Sequence, residues 1–267
     1  MGRSGIVWTD DTWNPVTGCS KVSPGCDHCY AERLARRMQL GHFPRYAQGF
    51  EVRFHPETVA QLAHWRAPRR IFVNSMSDLF HGRVTDDQLD QIFAAMDAAP
   101  HHHYQILTKR PRRMARYLKA RYGAIGVPRC LWVGVSVESP DFLDRLDQLR
   151  RVETPQRFMS AEPLLADLGE ISLEGIGWLI VGGESGPGFR PLELDWVRRL
   201  RDLAVGARVP FFFKQKAGRQ PQQLPCLDEV TWNQMPAQMR GGGGAPQAAA
   251  TEAPEELPLL RLLEELP

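Results

Sequence analysis

The chain has 267 residues, 43% of them hydrophobic, which is enough to bury one substantial core without disulfide staples. No run approaches the roughly eighteen uninterrupted apolar residues of a membrane span, and the opening Met1–Gly5 lacks the apolar centre of a secretory signal, so a cytoplasmic protein with no membrane partner is expected. A formal net charge of +2 is too small to imply a polyanionic partner, and 28 arginines against 5 lysines make any single arginine run a weak signal.

In chain order, a first strand is expected over Gly5–Asp10. The segment Thr17–Tyr30 follows, in which Cys19, Cys26 and Cys29 have the spacing C-x6-C-x2-C, with Gly18, Pro24 and Gly25 as turn residues. An odd total of five cysteines, three of them clustered, is poor material for a disulfide framework and good material for a soft metal in a reducing compartment. Cys130 and Cys226 stand apart, and Cys130, opening an apolar run, reads as a small buried hydrophobe. A [4Fe–4S] cluster with three cysteine ligands leaves one iron open. That iron can take the amino and carboxylate groups of S-adenosylmethionine, whose reductive cleavage gives a 5′-deoxyadenosyl radical. The rival is a zinc site completed by His28 or His42, and the bland reading is three unrelated thiols.

A helix over Tyr30–Leu40 follows. Strands are then predicted at Arg70–Asn74, Tyr104–Lys109, Leu131–Val137, Arg157–Ala161, Trp178–Val181 and Pro210–Lys214. Between them lie helices at Thr85–Ala98, Pro111–Tyr122, Pro140–Arg150 and Glu193–Ala204, while Leu164–Gly175 shows no helical pattern. His101–His103 reads as a loop leading into its strand. The alternation points to an α/β fold with mostly parallel strands, and together with the cysteine segment the expectation is a partial (βα) TIM-like barrel of radical-SAM type. The apolar runs end in groups that ionise or hydrogen-bond: Asp78 after the second strand, then Lys109 with Arg110, Ser136 with Glu138, Glu162, Gly182-Gly183-Glu184, and Lys214 with Gln215. In parallel α/β folds that rim carries function, although strands also end in polar loops for no further reason. The barrel domain is expected over 1–236. Residues 237–267 read as a Gly/Ala/Pro-rich linker and a leucine-rich segment, Glu255–Leu266, that either docks on a partner or stays disordered.

These motifs resemble the phage gene-product thirty-seven/sixty-eight family. The resemblance is carried by Trp8–Asp10, Trp13–Cys19, Pro24–Ala31, Asn74–Phe80, Leu107–Pro111, Gly134–Glu138, Glu162–Leu165, Gly182–Gly186 and Phe212–Gln215. It covers about residues 7–216 and implies a radical-SAM-like barrel. Two features depart from ordinary radical-SAM enzymes: Cys19 and Cys26 are separated by six residues where three are usual, and Gly182-Gly183-Glu184 ends a late strand where the usual triplet follows the second. If the cluster reading holds, Tyr30, Ser136, Glu138, Gly182, Gly183 and Glu184 are candidate cofactor contacts. Lys109, Glu162 and Lys214 are candidate catalytic groups, and Asp78, Arg110 and Gln215 candidate substrate contacts. A nucleic acid or nucleotide substrate and a flavodoxin- or ferredoxin-like electron donor are the expected partners. The alternatives are a zinc-dependent nucleic-acid-binding or nuclease-like protein, and a catalytically silent cluster protein acting as a partner subunit through its C-terminal segment.

Overall fold

Strands that are apolar on both faces can be buried only between two layers. In the computed structural model, which describes residues 5–239, those layers are a parallel sheet and a coat of helices. The elements run β1 (Asp11–Trp13), β2 (Val16–Thr17), α1 (Tyr30–Leu40), β3 (Arg53–Phe54), α2 (Pro56–Gln61), β4 (Arg70–Val73), α3 (Asp86–Asp97), β5 (His103–Thr108), α4 (Pro111–Tyr122), β6 (Leu131–Ser136), α5 (Asp144–Arg150), β7 (Arg157–Ala161), β8 (Leu179–Gly182), α6 (Leu194–Gly206), β9 (Phe211–Gln215), β10 (Cys226–Leu227) and β11 (Val230–Thr231).

Seven strands form one sheet in the order β1-β4-β5-β6-β7-β8-β9, with every neighbouring pair parallel. Each crossover therefore moves the chain one strand onward in the same direction. Right-handed crossovers then keep the helices on one face, and the twisted sheet curls around the other. This is the partial (βα) barrel that the alternation predicts. Local chemistry sets the helix starts: Thr85 and Gln88 form a reciprocal capping box at α3, and Pro111 opens α4.

The period-two alternation sorts each strand's side chains between two cores. Ile71, Tyr104, Ile106, Val133, Met159, Val181 and Phe211 face the helices and join one large cluster with residues such as Leu89, Phe93, Leu118 and Leu149. Their neighbours Phe72, Trp132, Phe158, Ile180 and Phe212 face the concave side, where they form a separate cluster with Trp8, Trp178 and Met239. The same alternation carries Asn74, Lys109, Ser136, Ser160, Glu162 and Lys214 to the carboxyl-end mouth of that concave face.

Several expectations are corrected. The first strand is Asp11–Trp13, not Gly5–Asp10, because the Gly5–Trp8 stretch is needed elsewhere. Trp8 is buried in the concave face, with its ring 4.6 Å from that of Phe72 and 6.1 Å from that of Trp178, and forms part of the floor. Pro140–Arg150 splits into a 3-10 turn at Pro140–Phe142 and the shorter α5. His103 belongs to β5, while α2 and the β2–β3 and β10–β11 pairs were not expected. Met239 is fully buried in the floor. Cys130 is buried and Leu164–Gly175 has no helix, as expected. The linker from 240 and the segment Glu255–Leu266 lie outside the described residues.

Candidate functional site

The cysteine loop begins where β2 ends. Gly18 N donates to Met76 O (2.9 Å) and Cys19 N to Phe50 O (3.2 Å), which pins the loop between the end of β4 and the segment before β3. Gly18 has φ +83°, and a Cβ there would lie 2.0 Å from Glu51 O, so the position tolerates only glycine. A 3-10 turn over Pro24–Cys26 leads on to Cys29, the N-cap of α1. The three thiols are half-buried and line one cavity of about 370 Å³ over the mouth of the sheet. They also border a groove of about 960 Å³ on the outer side.

Burial pushes the Cys19 and Cys29 thiols up. Asp78 adds to the effect at Cys19 and Arg110 opposes it, whereas the N–H groups of Glu32 and Ala31 oppose it at Cys29. Among the described residues no three Cys, His, Asp or Glu side chains form a group that could hold a metal ion, so neither the trio Cys19, Cys26 and Cys29 nor a zinc set with His28 or His42 is preformed. His28 turns instead toward Gly188.

Above the aromatic floor, each acid of the rim is matched by a cation. Glu138, fully buried, takes Lys109 Nζ at 3.1 Å and Arg145 Nη1 at 2.8 Å on Oε2. Burial pushes its carboxyl up, but Lys109, the Ser23 hydroxyl and Arg145 together hold it below the ordinary glutamate value. Glu162 Oε1 meets Lys214 Nζ at 2.9 Å, and its other oxygen accepts from Ser160 Oγ at 3.1 Å. Glu184 is gripped by Arg190 through the backbone N–H, Nε and Nη2, which outweighs burial and lowers its carboxyl. Arg190 Nη2 also donates to Pro24 O at 2.7 Å, tying this pair to the cysteine loop. Asp78 uses both oxygens: Oδ1 accepts from Phe80 N and Thr108 Oγ1, and Oδ2 from Lys109 N and Arg110 Nη1.

Most of the residues named from the sequence meet here. Cys19, Cys26, Cys29, Tyr30, Asp78, Lys109, Arg110, Ser136, Glu162, Gly183, Glu184, Lys214 and Gln215 all line the cavity. Glu138 and Gly182 stand behind its wall. Glu138 supports Lys109, and Gly182 leaves room for Glu162, whose Oε1 would be 2.7 Å from an added Cβ. Gly183 allows the close approach of Ala217 N, 2.4 Å from where its Cβ would sit. Tyr30 OH donates to Ser75 O (2.6 Å), which docks α1 against the end of β4, and Gln215 Nε2 donates to Gly183 O (2.8 Å).

Sequence reasoning missed Arg33, Arg145 and Arg190. Arg33 Nη1 donates to His28 O at 2.9 Å, so it clamps the cysteine loop as Arg190 does. No signal singled these three out among 28 arginines. Asn74 and Ser160, read from the sequence as polar groups at strand ends, also line the cavity.

A family model with the description "Protein of unknown function (DUF5131)" matches residues 3–240. No curated protein matches the sequence. Among solved structures, a cysteine-to-serine variant of spore photoproduct lyase aligns at 15% identity and TM-score 0.40, over 68% of this chain and 57% of that one. Spore photoproduct lyase complexed with dinucleoside spore photoproduct aligns at 14% and 0.38, over 70% and 58%. A double variant with bound AdoMet and dinucleoside spore photoproduct aligns at 14% and 0.38, over 72% and 60%. The aligned region thus spans about three-fifths of each lyase. None of the described helices is long and apolar enough to cross a membrane.

Proposed function

The chain belongs to the DUF5131 family, a family of unknown function, and from that premise we propose that it is a radical S-adenosylmethionine enzyme holding a [4Fe–4S] cluster on Cys19, Cys26 and Cys29. One observation carries this reading: all three thiols share a cavity with the carboxyl-end rim of a parallel partial barrel. The donor chemistry suits the group, three soft thiols on one pinned loop beside an open space, and the reading requires that loop to bring them into ligating positions that are not preformed among the described residues. A cluster held by Cys19, Cys26 and Cys29 would supply the one-electron reduction that splits S-adenosylmethionine into methionine and a 5′-deoxyadenosyl radical, the electron coming from a flavodoxin- or ferredoxin-like donor.

The chain's own groups divide the remaining work. Tyr30, Ser136, Gly183 and Glu184 line the cavity, which supports a role for them in orienting the cofactor's polar groups. Lys109 and Lys214 each make one ion pair, which leaves ammonium N–H groups for an anionic substrate such as a nucleotide phosphate. Trp8, Phe72 and Leu107 close the floor of the cavity and keep water from the site of radical chemistry.

The test is anaerobic purification with iron, sulfide and zinc analysis, followed by reduction with S-adenosylmethionine present. The expected results are iron and labile sulfide in the protein and release of 5′-deoxyadenosine, both lost when Cys19, Cys26 and Cys29 are replaced by alanine. A colourless protein with stoichiometric zinc and no sulfide would overturn the reading.

A further inference from the structure

Arg110 looks at first like a substrate anchor, being a cation at the mouth of a parallel barrel. Its hydrogen bonds place it elsewhere. Nη1 donates to Cys19 Sγ at 3.5 Å and to Asp78 Oδ2 at 2.9 Å, while Nη2 donates to Ser20 O at 3.0 Å and Ser20 Oγ at 3.1 Å. A guanidinium has five N–H groups in a fixed fork, and these contacts engage all four on its two terminal nitrogens.

Its partners are equally committed. The two Asp78 oxygens already accept four hydrogen bonds, filling their lone-pair sites, and Ser20 Oγ lies 2.8 Å from His81 Nε2. The ion pair is largely withdrawn from water, with 16% of the Arg110 side chain and 9% of the Asp78 side chain exposed. An arginine spent in this way has little left for a substrate oxygen, yet it delivers an N–H and a positive charge to the sulfur of one cysteine.

We propose that Arg110 tunes the reduction potential of the metal centre through its hydrogen bond to Cys19, an inference that rests on the cluster reading above. In a cluster held there, reduction would add one electron taken from a low-potential donor outside the protein and make the centre more negative by one charge. A fixed cation and N–H at a ligating sulfur favour the more negative state, so they raise the potential. Asp78 is the positioning residue that holds the fork in line. Arg33 is a natural control, because it holds the same loop through the carbonyl of His28 and makes no hydrogen bond to a thiol.

The test is an anaerobic redox titration with dithionite, followed by electron paramagnetic resonance, on the reconstituted parent, Arg110→Gln and Arg33→Gln. The expected result is equal iron and sulfide content in all three, with a more negative midpoint in Arg110→Gln and a smaller shift or none in Arg33→Gln. A parental midpoint in Arg110→Gln, or an equal or larger shift in Arg33→Gln, overturns the proposal. If Arg110→Gln assembles no cluster, Arg110→Lys decides, since it keeps the charge and loses the fork. A midpoint below the parent's supports the proposal, and one at or above it overturns it. A parent that takes up neither iron nor sulfide refutes the cluster reading itself, which is a different result from a loaded variant with parental potential.

Discussion

The two ends of the concave face are built from the same strands and the same alternate positions, yet they obey different physics. At the floor, Trp8, Phe72, Trp132, Phe158, Trp178 and Phe212 exclude water and pack edge to face, as in the perpendicular contact of Trp178 with Phe212 at 5.9 Å. At and beyond the carboxyl ends of the sheet strands stand Lys109, Glu138, Glu162 and Lys214, where buried charges are held by one another. Dispersion and transfer free energy are additive and tolerant, so the floor supplies stability. Charge pairs barely offset their own desolvation, so the rim adds little stability and is there to position groups.

The comparison is broken most directly at the floor. Trp178 is fully buried among Trp8, Phe158 and Phe212, and its Nε1 donates to Gln234 O at 2.9 Å. Trp178→Ala is expected to lower unfolding free energy by about 3–5 kcal/mol, read from urea denaturation. Iron uptake by the protein that remains folded should be unchanged, because no cysteine contacts this cluster of rings. A loss below 1 kcal/mol would mean that the floor does not carry stability.

At the rim, Glu138→Gln removes the one negative charge shared by Lys109 and Arg145 while keeping the shape. Leaving two nearly buried cations without their anion should cost about 3 kcal/mol. Lys109 should also be freed to move, so the larger consequence should be in the yield of 5′-deoxyadenosine per reduced cluster. Glu162→Gln, where both partners are more exposed, should cost less stability. Equal costs at the two sites would show that burial does not grade the rim.

Much of this division was legible in the sequence. The six later sheet strands and the parallel fold followed from alternation, and of the fifteen named residues thirteen line one cavity, nine from polar strand ends and Cys19, Cys26, Cys29 and Tyr30 from the cysteine segment. Three things were not. Ile6-Val7-Trp8 has the composition of a strand, and only the gap between Phe72 and Trp178 makes it a floor. Glu138 sits two positions beyond Ser136 on the cavity side of the alternation, yet Arg145 from α5 draws it behind the wall, a tertiary contact no spacing encodes. The arginines that hold the cysteine loop were hidden by the abundance of that residue, since their meaning lies in backbone carbonyls distant in sequence, as with Arg190 and Pro24.

The amino end of the sheet, on its helix-facing side, and the rim should also separate on a pH axis, and this is the smallest effect. His102, at the amino end of β5, is kept neutral in the fold: burial, with a minor contribution from His101, pushes it from 6.5 down to about 4, while its Nε2 donates to Trp65 O. Between those values the unfolded chain binds a proton that the folded chain refuses, so stability falls as pH drops from 6.5 toward 4. The rim works lower on the scale. Glu138 and Glu184 are held below the ordinary 4.5, so what they contribute is present above that value and is lost as pH falls through their lowered values. His55, His81 and His103 shift in the same direction as His102. His102→Gln, which keeps a donor for Trp65 O, should therefore reduce the slope of the urea midpoint between pH 6.5 and 4 without removing it, and leave the decline well below 4 as it was. A parental slope in the variant would place the acid sensitivity of this window entirely in the other histidines, and a changed decline well below 4 would mean that the amino end and the rim do not titrate as separate regions.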